Sequence, residues 1–145
     1  MELVQEVSER VPEGVDVVVC INSSGAMIFS EIEEYTDAIL MMFGRCMMGG
    51  TKMGVFTDPS SDNFLALVAG EVEPSGLLPL QMPANMETVE AQYEDVPRDM
   101  ECYVDSAGNT YDFGFGLNWS GVIQDERTET YCVDPLTEPA TQPVS

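Results

Sequence analysis

Histidine is absent from this 145-residue chain, and lysine and arginine together number only 5. Without histidine there is no Ser-His or Cys-His pair to activate a nucleophile. Without clustered cations there is no phosphate-tracking surface, so direct nucleic-acid binding is not expected. No apolar run reaches the length of a membrane span. The opening MELVQEVSER is acidic and lacks an apolar stretch, so no signal peptide is expected either. The four cysteines, Cys20, Cys46, Cys102 and Cys132, are widely spaced with no C-x-x-C. That spacing argues against a zinc site and for reduced thiols in a cytoplasmic protein. No metal and no cofactor is expected.

What is present in excess is negative charge. Twenty-six acidic residues against 5 basic ones give −21. The acids are spread along the chain rather than gathered in a tail. Three readings stay open: a solvated surface of the high-salt kind, a phosphate-like surface that mimics DNA toward a protein partner, and a field that steers cations. The apolar fraction of 44% excludes disorder by composition, and the length suits one domain spanning 1–145.

Comparing the chain with itself organises it. MELVQEVSERVPEGVDVVV from Met1 lines up with METVEAQYEDVPRDMECYV from Met86. Met1, Glu2, Val4, Glu9, Val11, Pro12 and Val19 recur as Met86, Glu87, Val89, Glu94, Val96, Pro97 and Val104. Ser24-Gly25 answers Ala107-Gly108, and Val55 to Pro59 answers Tyr131 to Pro135. Two copies are too few for a solenoid. The expected fold is α+β: two β-α-β-β repeats with pseudo-two-fold symmetry. Repeat one covers about 1–73, a connection about 74–85, and repeat two about 86–145.

In repeat one, Val15 to Ile21 reads as a strand and Asn22 to Gly25 as a turn. Ser30 and Glu33 have capping-box spacing. Ile32, Tyr35, Ile39, Phe43 and Met47 then recur at helical spacing, ended by Gly49-Gly50. Met53 to Thr57 and Phe64 to Val72 read as strands. The proline-bearing stretch around EPSGLLPLQMPAN reads as the connection. In repeat two, Met100 to Val104 reads as a strand and Asp105 to Asn109 as a turn. A weak helix carries Tyr111, Phe115, Trp119 and Ile123, and Thr128 to Val133 reads as the next strand. DVVVCINSSGAM also approaches the metal motif of von Willebrand A domains. Asn22, Ser24 and Ala26 lack the charged ligand and one hydroxyl that motif needs.

The strand–turn ends, Gly54-Val55-Phe56-Thr57-Asp58-Pro59 and Glu129-Thr130-Tyr131-Cys132-Val133-Asp134-Pro135, together with two β-α-β-β copies, resemble the GyrI-like family. These are the effector-binding domains found alone or attached to MerR- and AraC-type regulators. The resemblance implies an antiparallel sheet with two helices on one side and a ligand cleft between the copies. It also implies that Glu129 and Tyr131, on one strand, face an amphipathic, cationic ligand. On a strand, residues two apart share a face, so a carboxylate beside an aromatic ring would offer a cation two attractions. Trp119, Tyr111, Tyr35 and Phe56 are further candidates for the cleft wall. Three functions follow: a stand-alone binding module for a cationic small molecule, a small hydrolase on the same scaffold, or a gyrase-type protein partner reached through the acidic surface.

Overall fold

The computed structural model describes residues 2–43, 59–93, 96 and 98–131, with the side chains of 59–61 and 131 outside that description. The described residues fall into two compact units. One lies within Met1–Gly25 and Glu31–Pro74, the other within Ala26–Ser30 and Ser75–Ser145.

The first unit opens with helix α1 (Glu2–Arg10). Glu2 in its first turn and Arg10 in its last suit the helix dipole, and Glu6 meets Arg10 at 2.6 Å across one turn. No residue of α1 is buried, and Leu3 is 72% exposed. Strand β1 (Val18–Ser23) follows, and after a 3₁₀ turn (Glu33–Tyr35) comes strand β2 (Ala38–Phe43). The strands pair in parallel, Val18 opposite Ala38 through Ser23 opposite Phe43. Asp37 sets this register: its carboxylate accepts from Val17 N at 2.7 Å, and its own N–H donates to Val17 O at 2.9 Å. Ser23 closes the turn after β1, its hydroxyl accepting from Gly25 N at 3.2 Å.

Two elements here differ from the sequence expectation. Ala38 to Phe43 is strand, not helix. The spacing of Ile32, Tyr35, Ile39 and Phe43 fits a helix, but AILMMF is also an unbroken six-residue apolar run, the signature of a strand in a parallel sheet. Ile32, at the N-terminal flank of the 3₁₀ turn, makes no side-chain cap bond, and the element that follows Ser30 is this three-residue turn rather than a long helix. Phe64 to Val68 is helix, the end of α2 (Pro59–Val68), which lies against β1. Proline suits the first position of a helix, and leucine and alanine propagate it. The helix stops at Gly70 (φ 71), with Glu71 N donating to Ala66 O at 2.9 Å and Gly70 N to Leu67 O at 3.0 Å. That is a Schellman ending, which only a residue at ease in the left-handed region completes without strain.

The second unit has little regular structure but a continuous ladder. Leu78 N donates to Phe115 O at 2.7 Å, Gly114 N to Leu78 O at 2.8 Å, and Met82 N to Tyr111 O at 2.9 Å. On the other side Tyr103 N donates to Met82 O at 2.9 Å and Ala84 N to Glu101 O at 3.0 Å. The stretch expected to be a mere connection is therefore the central rung. Met82 and Pro83 are fully buried in it. Around it stand α3 (Met86–Ala91), capped by the Asn85 side chain on Thr88 N, the short hairpin β3 (Leu117–Asn118) and β4 (Gly121–Val122), and α4 (Glu126–Tyr131). The expected turn at Asp105 to Asn109 is present: Asp105 Oδ1 accepts from Ala107 N at 3.0 Å and Asn109 N at 2.7 Å.

The segment holding Tyr111 to Ile123 is a ladder strand and hairpin rather than a helix, as three glycines at about 1 kcal/mol each favour. Thr128 to Tyr131 is helical rather than a strand. Asp125 caps α4 by accepting from Arg127 N at 2.8 Å, and Thr128 Oγ1 reaches back to Asp125 N at 3.0 Å. This reciprocal pair is a capping box with threonine in the glutamate's place. Among the described residues no helix is long and apolar enough to cross a membrane.

Candidate functional site

The densest polar chemistry in the described structure surrounds Gln81. This residue is 6% exposed and spans the ladder. Its amide nitrogen lies 3.2 Å from Met100 O, 3.1 Å from Cys102 Sγ and 3.0 Å from Asp112 Oδ1, while its carbonyl accepts from Met100 N at 3.1 Å. Asp112 is held from three directions. Arg98 Nη2 donates to its Oδ2 at 2.7 Å, Gln81 to its Oδ1, and Phe113 N to the same Oδ1 at 2.6 Å. Arg98 is itself positioned with care: its backbone is left-handed (φ 64), which costs a non-glycine residue about 1 kcal/mol, and its guanidinium lies 5.6 Å from the Phe113 ring centroid.

The electrostatics follow from this geometry. Burial pushes the Asp112 carboxyl up, but hydrogen bonds from Arg98, Phe113 N and Gln81, with the Arg98 charge, outweigh it and hold the group below the ordinary aspartate range. Burial and the Asp112 charge push the Cys102 thiol up to about 11, against the opposing Gln81 hydrogen bond. Cys102 is thus an inert neutral thiol. Both described cysteines, Cys20 and Cys102, are free thiols.

Because the folded Asp112 is more acidic than its unfolded counterpart, its contribution to stability is full above the unfolded value. It fades as pH falls through the lowered folded value. Asp112→Asn has no such proton to take up. Its melting temperature should fall less than wild type's between about pH 5 and pH 2, measured by circular dichroism. Equal acid-side slopes would remove Asp112 from that role.

Beside this cluster runs an open groove of about 680 Å³, lined by Arg98, Asp112, Phe113, Phe115, Ile123 and Glu129 among others. Tyr111 supports it from behind: its ring stacks on Phe115 at 5.1 Å and meets Phe29 edge-on at 5.5 Å and Tyr103 at 5.4 Å.

Of the four singled-out residues whose side chains are described (Glu129, Trp119, Tyr111 and Tyr35), only Glu129 lines this groove. It does so from helix α4, where residues two apart point to different sides, so the shared-face argument for Glu129 and Tyr131 does not apply. Tyr131 ends α4, and its side chain lies outside the described residues, as does Phe56 entirely. Tyr111 is an aromatic-core residue. Trp119 stands at the tip of the β3–β4 hairpin, 64% exposed. Tyr35 belongs to the first unit, on the 3₁₀ turn. A hydrogen bond with Glu34, then burial and the charges of Glu34 and Glu9, raise its phenol pKa. Sequence reasoning missed Gln81, Arg98, Asp112 and Phe113. One signal was available: in a chain with so few cations, each arginine is a candidate for a fixed ion pair.

Comparison with known proteins settles the family. Residues 1–119 match the Glycosyl hydrolase family 3 C-terminal domain. "Probable beta-glucosidase C" of Aspergillus flavus and of Aspergillus oryzae are each 30% identical over 115 residues, 79% of this chain and 14% of theirs. "Beta-glucosidase C" of Emericella nidulans is 32% identical over 92 residues, 63% of this chain and 12% of that protein. The chain thus spans a small part of the length of these relatives. No solved structure matches.

These matches overturn the GyrI-like resemblance, and with it the effector-binding, multidrug-type module for a cationic ligand. The resemblance rested on short strand–turn ends. Of the first, residues 54–58 lie outside the described residues and Pro59 opens helix α2, and the second begins on helix α4. Of the functions weighed from sequence, a hydrolase role is the one nearest the matching proteins. The chain belongs to the glycosyl hydrolase family 3 C-terminal domain family.

Proposed function

We propose that this chain serves β-glucoside hydrolysis as a C-terminal-domain segment, supplying a folded wall and fixed polar groups rather than a whole active centre. The observation that carries this reading is the family match over residues 1–119, which takes in the parallel strand pair and most of the Gln81–Asp112 ladder. The relatives' names supply the substrate class, β-glucosides. The small share of their length that this chain spans supports a contributing part.

The local chemistry agrees. Glycosidic cleavage uses paired carboxyl groups, one of which must hold a proton to give the leaving oxygen. Asp112, kept ionised by Arg98, Gln81 and Phe113 N, cannot be that acid near neutrality. It is suited instead to anchoring the groove. The free thiols Cys20 and Cys102 support placing the chain in the cytoplasm, where thiols stay reduced.

The test is a graft. The matching 115-residue stretch of the Aspergillus oryzae protein is replaced with this chain's, and release of nitrophenol from p-nitrophenyl β-D-glucopyranoside is followed. The graft should hydrolyse the glucoside, while the isolated chain should not exceed the uncatalysed rate. A folded graft, shown by circular dichroism and a cooperative melt, that fails to turn over would contradict the proposal.

A further inference from the structure

We propose that the apolar ridge of α1, set in an acidic surround, docks a basic amphipathic helix of a partner protein. Such docking is independent of any part in β-glucoside hydrolysis.

Helix α1 lacks the packing that a helix of its length requires. Nine residues are marginal as a helix in water unless an apolar face is covered, yet no residue of α1 is buried. Its apolar side chains are nonetheless aligned. Leu3, Val7 and Val11 follow at four-residue spacing, which makes one ridge down one side. Leu3 is 72% and Val7 41% exposed. The turn that carries the ridge to its end is closed by Val11 N donating to Val7 O at 3.0 Å. With Glu6, Arg10 and Pro12 these residues line a shallow groove of about 400 Å³. The helix gives about two and a half turns of such surface. A partner helix laid along it would present apolar anchors at i, i+3, i+4 and i+7.

Charge selects the partner. Glu2, Glu6, Glu9 and Glu13 run along the same segment, and the 3₁₀ turn lying against α1 adds Glu33 and Glu34. The two sets of acids are near neighbours, since the charges of Glu9 and Glu34 both reach the Tyr35 phenol. Arg10 is the one cation among the described residues of this unit, and Glu6 already holds it at 2.6 Å. A surround of this sign attracts Lys and Arg and rejects acidic partners. A second copy of the chain would bring the same acids and a further −21 to the contact. An anionic lipid surface would repel the helix, because helices that lie on membranes carry Lys and Arg on their polar face. Ridge and charge together fit a helix with leucine-type anchors flanked by Lys and Arg.

The experiment is a titration of the full chain with a synthetic helical peptide of about four turns, leucines at the anchor positions and lysines elsewhere. Calorimetry and ¹⁵N-edited NMR should show saturable one-to-one binding with shifts centred on Leu3 and Val7. Affinity should fall at least about tenfold between about 0.05 and 0.3 M salt. The double variant Leu3→Ala, Val7→Ala keeps good helix formers at exposed positions, and should weaken binding at least about tenfold with an unchanged circular-dichroism melt. Leu65→Ala, 67% exposed on α2, should bind as wild type does. The same peptide with its residues scrambled, or with glutamate for lysine, should bind at least about tenfold more weakly. A scrambled peptide bound as tightly, or a double variant that binds like wild type, would reduce the effect to diffuse attraction and overturn the proposal. Self-association of the chain that the double variant abolishes, seen by sedimentation, would make a second copy the occupant and overturn it equally.

Discussion

Gly116→Ala should destabilise the second unit by about 3 kcal/mol or more, at the upper end of what overpacking costs. A methyl at position 116 would be driven into the backbone carbonyl oxygen of Gly76, and would also crowd Leu77 Cδ2 at 3.1 Å. A side chain can turn aside from such a clash, but this carbonyl belongs to backbone that enters the ladder two residues later, at Leu78. Relief would require parting chain segments joined by Leu78 N to Phe115 O at 2.7 Å and Gly114 N to Leu78 O at 2.8 Å. The control is across the same contact. A methyl at Gly76 would meet nothing within 4 Å, so Gly76→Ala should change stability by no more than about 0.5 kcal/mol. Urea denaturation of the two variants reads the contrast. Equal effects would mean that the close approach does not exist in solution.

Removing the Gln81 amide should cost nearly as much. In Gln81→Ala, Met100 loses the partner of both its N–H and its carbonyl, and Asp112 loses one of its three supports. The residue is almost fully buried, so water cannot readily replace what is lost. A buried group left unsatisfied costs about 1–3 kcal/mol, and the cavity adds to it, so a loss of about 3 kcal/mol is expected. Gln81→Glu keeps the shape but sets a second negative charge 3.0 Å from Asp112 Oδ1. It should be at least as damaging at neutral pH and should recover in part as acid protonates one of the pair. A Gln81→Ala variant as stable as wild type would show that the polar cluster does not organise the unit.

How far the sequence speaks for this fold depends on whether the deciding forces are local. The strand expected over Val15 to Ile21 is met at Val18 to Ile21, though β1 runs on through Asn22 and Ser23, so the turn expected from Asn22 begins only at Ser24-Gly25. That bend and the turn at Asp105 to Asn109 are legible, because short side chains such as Ser23 and Asp105 close them within a few residues. Two long apolar stretches mislead in opposite directions. AILMMF carries a helical spacing and forms a strand because Asp37 pins it beside β1, a contact from 20 residues away. FLALV looks like a strand and forms a helix because Pro59 starts it and Gly70 ends it.

The candidate site was nearly illegible. Gln81 lies in a proline-bearing stretch that reads as a linker, and its partners Met100, Cys102 and Asp112 lie 19 to 31 residues onward. Nothing in local pattern announces a hydrogen-bond network assembled across that distance. Glu129 is singled out on an expected strand whose described part, Thr128 to Tyr131, is helix, and it reaches the groove from that capped helix.

The most direct measurement of the central claim is kcat/KM for p-nitrophenyl β-D-glucopyranoside in the β-glucosidase carrying residues 1–119 of this chain in place of its own matching stretch. A value within about tenfold of the parent enzyme is expected, a loss of no more than about 1.4 kcal/mol in transition-state stabilisation. A cooperatively folded graft indistinguishable from the same enzyme with the stretch deleted would contradict it.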